Sequence, residues 1–252
     1  MRVLSNSQIG LWLRCPKAWE YRYVKGLKIP PAGVMVQGSA YHGALKENFN
    51  SMMAHRKMLS VTALQDAFST YWDERVRGNP IDKEEDDEGV DDINWEGNDP
   101  GKLKDEGIKL ARIYHSTIAE EVAPIRVEAY NEKMVGDVKY IGYIDVETLD
   151  EIIDHKLKSR SLSQMDADRD TQPLSYCMFT GKTNFTYHVA VKKKIPEIQI
   201  VHVEKTMKDI QWWEEAIKQI ATQIETGIAP PNPTNWTCNP RFCGYWNRCK
   251  GQ

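Results

Sequence analysis

Apolar residues fall at helical spacing through most of the first half of the chain and alternate with polar ones in the middle. Residues 5–23 read as a helix capped by Ser5 or Ser7, with Ile9, Leu11, Trp12 and Leu13 opening its apolar face; Cys15-Pro16 interrupts that pattern. Gly38-Ser39 opens a second helix reaching about residue 58, with His42 in its first turn. Ser60 caps a third over 61–76, and a fourth covers about 101–122. After Pro124 the period changes. Residues 125–134, 139–149 and 151–157 are predicted strands, the first two joined at Gly136-Asp137. A helix over 171–180, strands over 184–192 and 197–204, and an amphipathic helix over 208–226 complete the core. The tail from Pro230 mixes Pro, Asn, Trp and Cys and reads as irregular.

This order predicts an α/β fold within a single domain: a mainly helical part (1–122), an α/β core (123–227) and a cysteine-bearing tail (228–252). The 252 residues are 41% hydrophobic, enough for a sizeable core and too many for wholesale disorder. No apolar run approaches the roughly 18–20 residues of a membrane span, so no membrane partner is expected. The opening MRVLSNSQIGLWLRC carries no apolar signal segment, and five cysteines are few for a disulfide scaffold. A reducing cytoplasm is the expected compartment.

The net charge of −3 is unevenly placed. Residues 82–99 hold ten acids and one Lys, a local −9, which leaves +6 on the rest. The segment is predicted to be a solvated loop without packing of its own, and a mildly basic body is compatible with phosphate contacts.

Four groups of residues could carry chemistry. Asp145 stands at the inner end of one predicted strand, and Asp154 and Lys156, two apart on the next, share a face. Two carboxylates on adjacent strands can hold a hard divalent cation, and a lysine beside them can orient a water; an ordinary ion pair on an exposed hairpin fits the same tripeptide. His42 is a potential metal ligand, although a lone helical histidine is commonly structural. Gln172 and Tyr176, at i and i+4, share a helix face and could bond a phosphate or a base, or supply only surface polarity and a buried ring. Cys238-x4-Cys243-x5-Cys249, with Cys15 far upstream, points to metal; four thiolates suit either Zn²⁺ or a [4Fe–4S] cluster. Cys177, inside a predicted helix, reads as a packing residue.

Taken in order, Leu4-Ser5-x-Ser7 to Cys15-Pro16 and Tyr21-Arg22-Tyr23, Gly38-Ser39-x-x-His42-x-x-Leu45, Gly142-x-x-Asp145, Asp154-x-Lys156, Gln172-x-x-x-Tyr176 and the three-cysteine tail resemble the RecB-like branch of the PD-(D/E)XK nucleases, whose iron–sulfur members include Cas4-like proteins and phage exonucleases. Two features depart from that pattern: Asp154 stands where many relatives have Glu, and the tail spacing is x4 then x5 where Cas4-like proteins commonly have x2 then x5. The second departure leans toward a phage-type exonuclease. The resemblance implies a restriction-endonuclease-like central mixed sheet flanked by helices. It implies Mg²⁺ or Mn²⁺ on His42, Asp145, Asp154 and the main-chain carbonyl of His155, with Lys156 positioning the attacking water and Gln172 and Tyr176 holding the strand. Glu128 is an added acid outside the ligand set. Cys15, Cys238, Cys243 and Cys249 would hold a structural [4Fe–4S] cluster, with zinc as the alternative. The implied activity is a metal-dependent DNA exonuclease of recombination, repair or processing, acting on single strands or duplex ends, with any recombination or single-strand-binding partner unspecified. The alternatives are a nucleic-acid-binding iron–sulfur or zinc module with a vestigial site, a zinc-stapled adaptor, and a Cas4-type nuclease of CRISPR adaptation.

Overall fold

A computed structural model describes residues 2–78 and 92–251. In chain order the elements are β1 (Arg2–Ser5), α1 (Asn6–Arg14), α2 (Pro16–Trp19) running into a π-helical turn (Glu20–Val24), α3 (Gly33–His55), α4 (Val61–Val76), α5 (Pro100–Thr117), a 3₁₀ turn (Ala119–Glu121), β2 (Arg126–Val135), β3 (Val138–Glu147), β4 (Ile152–Lys158), α6 (Gln164–Arg169), α7 (Gln172–Thr180), β5 (Asn184–Val191), β6 (Glu197–Glu204), α8 (Met207–Glu225) and α9 (Trp246–Lys250). Among the described residues, no helix is long and apolar enough to cross a membrane.

The chain packs as two units. One combines residues 30–130 and 143–205. In it the end of β3 pairs antiparallel with β4, β4 runs parallel to β5, and β5 antiparallel to β6, which makes a mixed sheet. Phe185 to Val191 of β5 are all buried. On one face His188 meets Tyr114 of α5, and on the other Phe185 meets Tyr176 of α7, so helices cover both sides. A mixed sheet between helices fits a restriction-endonuclease-like fold. Helices α3, α4 and α5 bury Tyr41, Leu45, Phe49, Phe68 and Leu110 against Ile153 and Ala190 of the sheet.

The other unit combines residues 1–29, 131–142 and 206–252. β1 pairs parallel with the start of β3, and α8 buries Ile210, Trp213, Ile217 and Ile224 along one side. Thr206 and Asp209 form a reciprocal capping box that starts α8. Gly136, with φ 62°, turns the β2–β3 hairpin.

The structure departs from the sequence reading in five places, one of them the short α9 within a tail read as irregular. The predicted helix over 5–23 is preceded by a strand, and it breaks at Cys15, which adopts φ −165° and ψ 104°; Ser5 caps only its first half. The strand was hidden because its partner lies more than 130 residues away. Helix α3 starts at Gly33, five residues early, and the Trp95 ring, 2.6 Å from where a Cβ on residue 33 would be, leaves room there only for glycine. The six-residue α6, capped by Ser163, was not foreseen.

The acidic run differs most. Residues 82–91 of the predicted loop lie outside the described residues, but its later part packs. Ile93 and Trp95 lie against the α3–α4–α5 core, Trp95 6.0 Å from Trp72. Asn94 bridges to Ala32, and Asp99 caps α5 by accepting from Lys102 N. Two apolar side chains outweigh the like charges around them. Trp95→Ala should therefore cost about 1–3 kcal/mol, read as a lower denaturant midpoint with unchanged slope. A midpoint equal to the wild type would mean that the indole contributes no packing.

Candidate active site and a cysteine-lined cavity

The β3–β4 ladder sets the site. Its paired register runs Glu147 to Ile152 and Val146 to Ile153. At the next position the Asp145 carboxylate replaces a main-chain acceptor: its Oδ2 takes the His155 N–H at 2.8 Å. That bond holds the Asp145 carboxylate beside β4, where His42 of α3 approaches the same oxygen through Nδ1 at 3.2 Å. Alternation along β4 turns Asp154 and Lys156 to one face and His155 to the other.

On the first face, Asp154 is 1% exposed. Gln172, the first residue of α7, links the group. Its Nε2 donates to Asp154 Oδ1 at 2.6 Å and to the Tyr176 hydroxyl at 2.9 Å, and its Oε1 accepts from Lys156 Nζ at 2.7 Å. Lys156 Nζ also lies 2.8 Å from Asp154 Oδ2, an ion pair at a buried oxygen. Asp170 ends α6 and steadies the group, taking the Gln172 N–H at 3.0 Å and the Tyr187 hydroxyl at 2.9 Å.

On the second face, His155 stacks on Phe49, with ring centres 5.6 Å apart. Its Nε2 meets the Tyr114 hydroxyl at 2.9 Å, and that hydroxyl meets His188 Nδ1 at 2.8 Å. One hydroxyl proton serves two ring nitrogens, so one histidine must donate and the other accept. Burial keeps both neutral: His155 falls below the usual imidazole range, and His188 falls to about 3.

Among the described residues, one group of three metal-capable side chains has its ligand atoms within 4.8 Å of one another: His42, Glu128 and Asp145. Glu128 reaches it from the interior of β2 with φ 45°, a backbone conformation that costs a non-glycine residue about 1–3 kcal/mol. Strain of that size at a carboxylate beside two other ligands marks a place where the side chain's aim matters more than its backbone comfort. Burial opposes charge on His42, but the charge and hydrogen bond of Asp145, with the charges of Glu128 and Asp154, overcome it and lift the imidazole to about 9. Burial pushes Asp154 up to about 7 against the pull of Lys156, helped by Asp145. Asp145 stays well below the carboxylate range: burial works against it, and His42 and His155 more than compensate. Lys156 is held above its ordinary value by Asp154 and Asp145 despite burial, so it is an ammonium at neutral pH.

The second unit holds a cavity of about 190 Å³ lined by Cys15, Cys238, Cys243 and Cys249, with Tyr21 and Tyr245 in its wall. All four thiols are half-buried. Burial raises the Cys243 thiol against a main-chain hydrogen bond from Tyr245, and the other three sulfurs raise it further. Tyr245 donates to the Leu27 carbonyl at 2.8 Å, and Asn232 to the Arg14 carbonyl at 3.0 Å, fastening the tail to the N-terminal segment. Cys177 lies in the other unit, fully buried, with burial raising its thiol to about 12.

A family model described as the PD-(D/E)XK nuclease superfamily matches residues 3–250. The chain belongs to this superfamily. A solved structure of a "Putative exonuclease" from Eubacterium rectale is similar in fold, with a TM-score of 0.61 and 13% identity over 94% of this chain and 87% of that one. Among curated proteins, none matches. In this PD-(D/E)XK nuclease, Asp154, Lys156, Gln172 and Tyr176 share one hydrogen-bonded network, while His42 and Asp145 meet Glu128, and Asp154 stands outside that group of three. Sequence reasoning missed three supports, Tyr114, His188 and Asp170. Tyr114 falls at helical spacing with Leu103, Gly107 and Leu110, and His188 within an apolar strand, so both read as core. Asp170, two residues before Gln172, gave only the ordinary signal of a turn acid.

Proposed function

We propose that this chain is a Mg²⁺- or Mn²⁺-dependent DNA exonuclease of the RecB-like type, working in DNA recombination, repair or processing. The observation that carries the reading is the buried network in which Gln172 ties Asp154, Lys156 and Tyr176 together beside the His42–Glu128–Asp145 group. His42, Asp145 and Asp154 would hold the cation, with the main-chain carbonyl of His155. Glu128 adds a fourth side chain that the sequence reading had left outside the ligand set. A bound divalent ion supplies Lewis-acid polarisation of a phosphodiester and offsets charge on the leaving oxygen. The protein's own groups do the rest. Lys156, as an ammonium, donates to the attacking water and fixes its line of approach. Gln172 holds that ammonium in place. Tyr176 lends its hydroxyl to the strand near the cleaved bond. The His155 main-chain N–H, donating to the Asp145 carboxylate, holds that carboxylate beside β4.

Cys15, Cys238, Cys243 and Cys249 would hold a structural [4Fe–4S] cluster. Four thiolates around one zinc at about 2.3 Å would place their sulfurs roughly 3.8 Å apart. The four thiols line one cavity of about 190 Å³, which supports a shared centre, and the one-plus-three split of the cysteines along the chain is the reason to prefer the cluster to zinc.

The test is digestion of end-labelled linear DNA and of circular single-stranded DNA with Mn²⁺ and with EDTA. Linear DNA should be consumed from its ends only with metal, and circles should persist. Circles cut as fast as linear strands would overturn the exonuclease reading, and full activity in EDTA would overturn the metal.

A further inference from the structure

The loop between Cys238 and Cys243 has a use beyond spacing two ligands. It carries Arg241 and Phe242, and Trp236 stands just before it. Trp236 is 73% exposed and Phe242 55% exposed, an unusual display for two large rings. They meet edge to face with centres 5.2 Å apart, and Arg241 lies over the Phe242 ring at 5.4 Å. The loop is held by Asn239, whose Nδ2 donates to the Trp236 carbonyl at 2.8 Å and whose Oδ1 accepts from Arg241 N at 2.9 Å and from Phe242 N at 3.2 Å. The backbone beneath both rings is therefore held, which lowers the entropic cost of presenting them to a ligand.

The charge around them says what fits. Residues 226–252 contain no Asp or Glu and three cations, Arg241, Arg248 and Lys250. The third cation, Lys250, lies 5.1 Å over the Trp246 ring. The three cations of this stretch attract a polyanion, and exposed rings beside guanidinium groups suit unpaired bases, whose faces are free to stack, better than a duplex, whose bases are already stacked.

We propose that Trp236 and Phe242, with Arg241, form a stacking platform for single-stranded DNA, independent of base identity. This deepens the nuclease reading and rests on it for the choice of DNA as ligand. Binding is measured with the full chain in EDTA, which stops metal-dependent cleavage, using a fluorescent oligothymidylate and an abasic strand of equal length. The abasic strand keeps the phosphates and removes the stacking partners.

The wild type should prefer the oligothymidylate. Trp236→Ala and Phe242→Ala should each weaken oligothymidylate binding roughly five- to a hundredfold while leaving abasic binding unchanged. Arg241→Gln should weaken both strands and reduce the slope of log affinity against log salt by about 0.7. Because a misfolded variant would lose both strands, the abasic arm separates loss of stacking from loss of structure. Equal wild-type affinity for the two strands, or equal losses on both in the aromatic variants, would overturn the proposal. So would self-association of the wild type that Trp236→Ala abolishes, because the rings would then serve a protein contact. A protein that binds oligothymidylate through these rings but never cleaves DNA with Mn²⁺ would sink the nuclease reading and leave the platform standing. One that cleaves normally yet binds both strands alike does the reverse.

Discussion

Lys156→Met should slow metal-dependent DNA cleavage by about 10²–10⁴-fold, and Asp154→Asn should reduce it at least as far. The two losses have different causes, and the measurements separate them. Asp154→Asn keeps the side-chain volume and an oxygen for the Gln172 bond but removes the buried negative charge. Metal affinity should fall with the rate. Lys156→Met keeps the stem over the Tyr187 ring, 5.8 Å from the ammonium in the wild type, and removes only the charge and its donors.

Asp154 then loses the cation that restrains its carboxyl, which already stands at about 7. Its proton is held to higher pH, so the residual activity of Lys156→Met should peak at higher pH than the wild type's. The same raised carboxyl has a consequence for stability. In the metal-free protein Asp154 binds its proton more tightly folded than unfolded. Its contribution is present below the unfolded value of 3.8 and is lost as pH rises through about 7. Mn²⁺ should return that loss, raising the melting temperature more at pH 8 than at pH 5. A Lys156→Met protein that cleaves at the wild-type rate would remove Lys156 from the mechanism, whatever the cysteines hold.

Cys243→Ala should lose iron, colour and stability together. The four thiols line one cavity, and the loops that carry them belong to segments more than 200 residues apart in sequence. A shared cluster would close that long loop, so its loss frees the tail as well as emptying about 190 Å³. A few kcal/mol is the expected scale, and at about 2–4 °C per kcal/mol for a chain of this size the melting temperature should drop by roughly 5–15 °C. Cys177→Ala is the control: it sits in the other unit, is fully buried, and should keep the iron at a modest packing cost. Anaerobically purified wild type should carry close to four irons per chain. Stoichiometric zinc without iron in that preparation, or an unchanged iron content in Cys243→Ala, would refute the assignment of the cavity.

Much of this protein could be read from the sequence because the signals are local. Ser60 and the periodic apolar residues after it define a helix over Val61–Val76, and the structure has the same bounds. Gly136-Asp137 marks the β2–β3 turn, since a glycine is needed where φ reaches 62°. Asp154 and Lys156 share a face because a strand's side-chain period is two, and Gln172 and Tyr176 because a helix's i and i+4 positions align. Those four residues do lie in one network, although nothing in their spacing states that Gln172 bonds both Asp154 and Lys156. That required α7 to dock beside β4, an outcome of packing across the sheet.

What only the tertiary structure decided depends on partners distant in sequence. β1 exists because the start of β3 offers it a parallel edge. Ile93 and Trp95 pack despite their acidic surroundings because α3 presents a glycine at residue 33 and α4 presents Trp72. Glu128 joins His42 and Asp145 through a left-handed backbone that no propensity predicts, since an L-residue accepts that strain only when the surrounding fold imposes it. Tyr114 and His188 bond to each other from elements 74 residues apart. Sequence determines which side chains share a face within one helix or strand, because that follows from backbone period alone. Which faces meet is decided by burial summed over the whole chain, and it is there that the site's supports and its added carboxylate were settled.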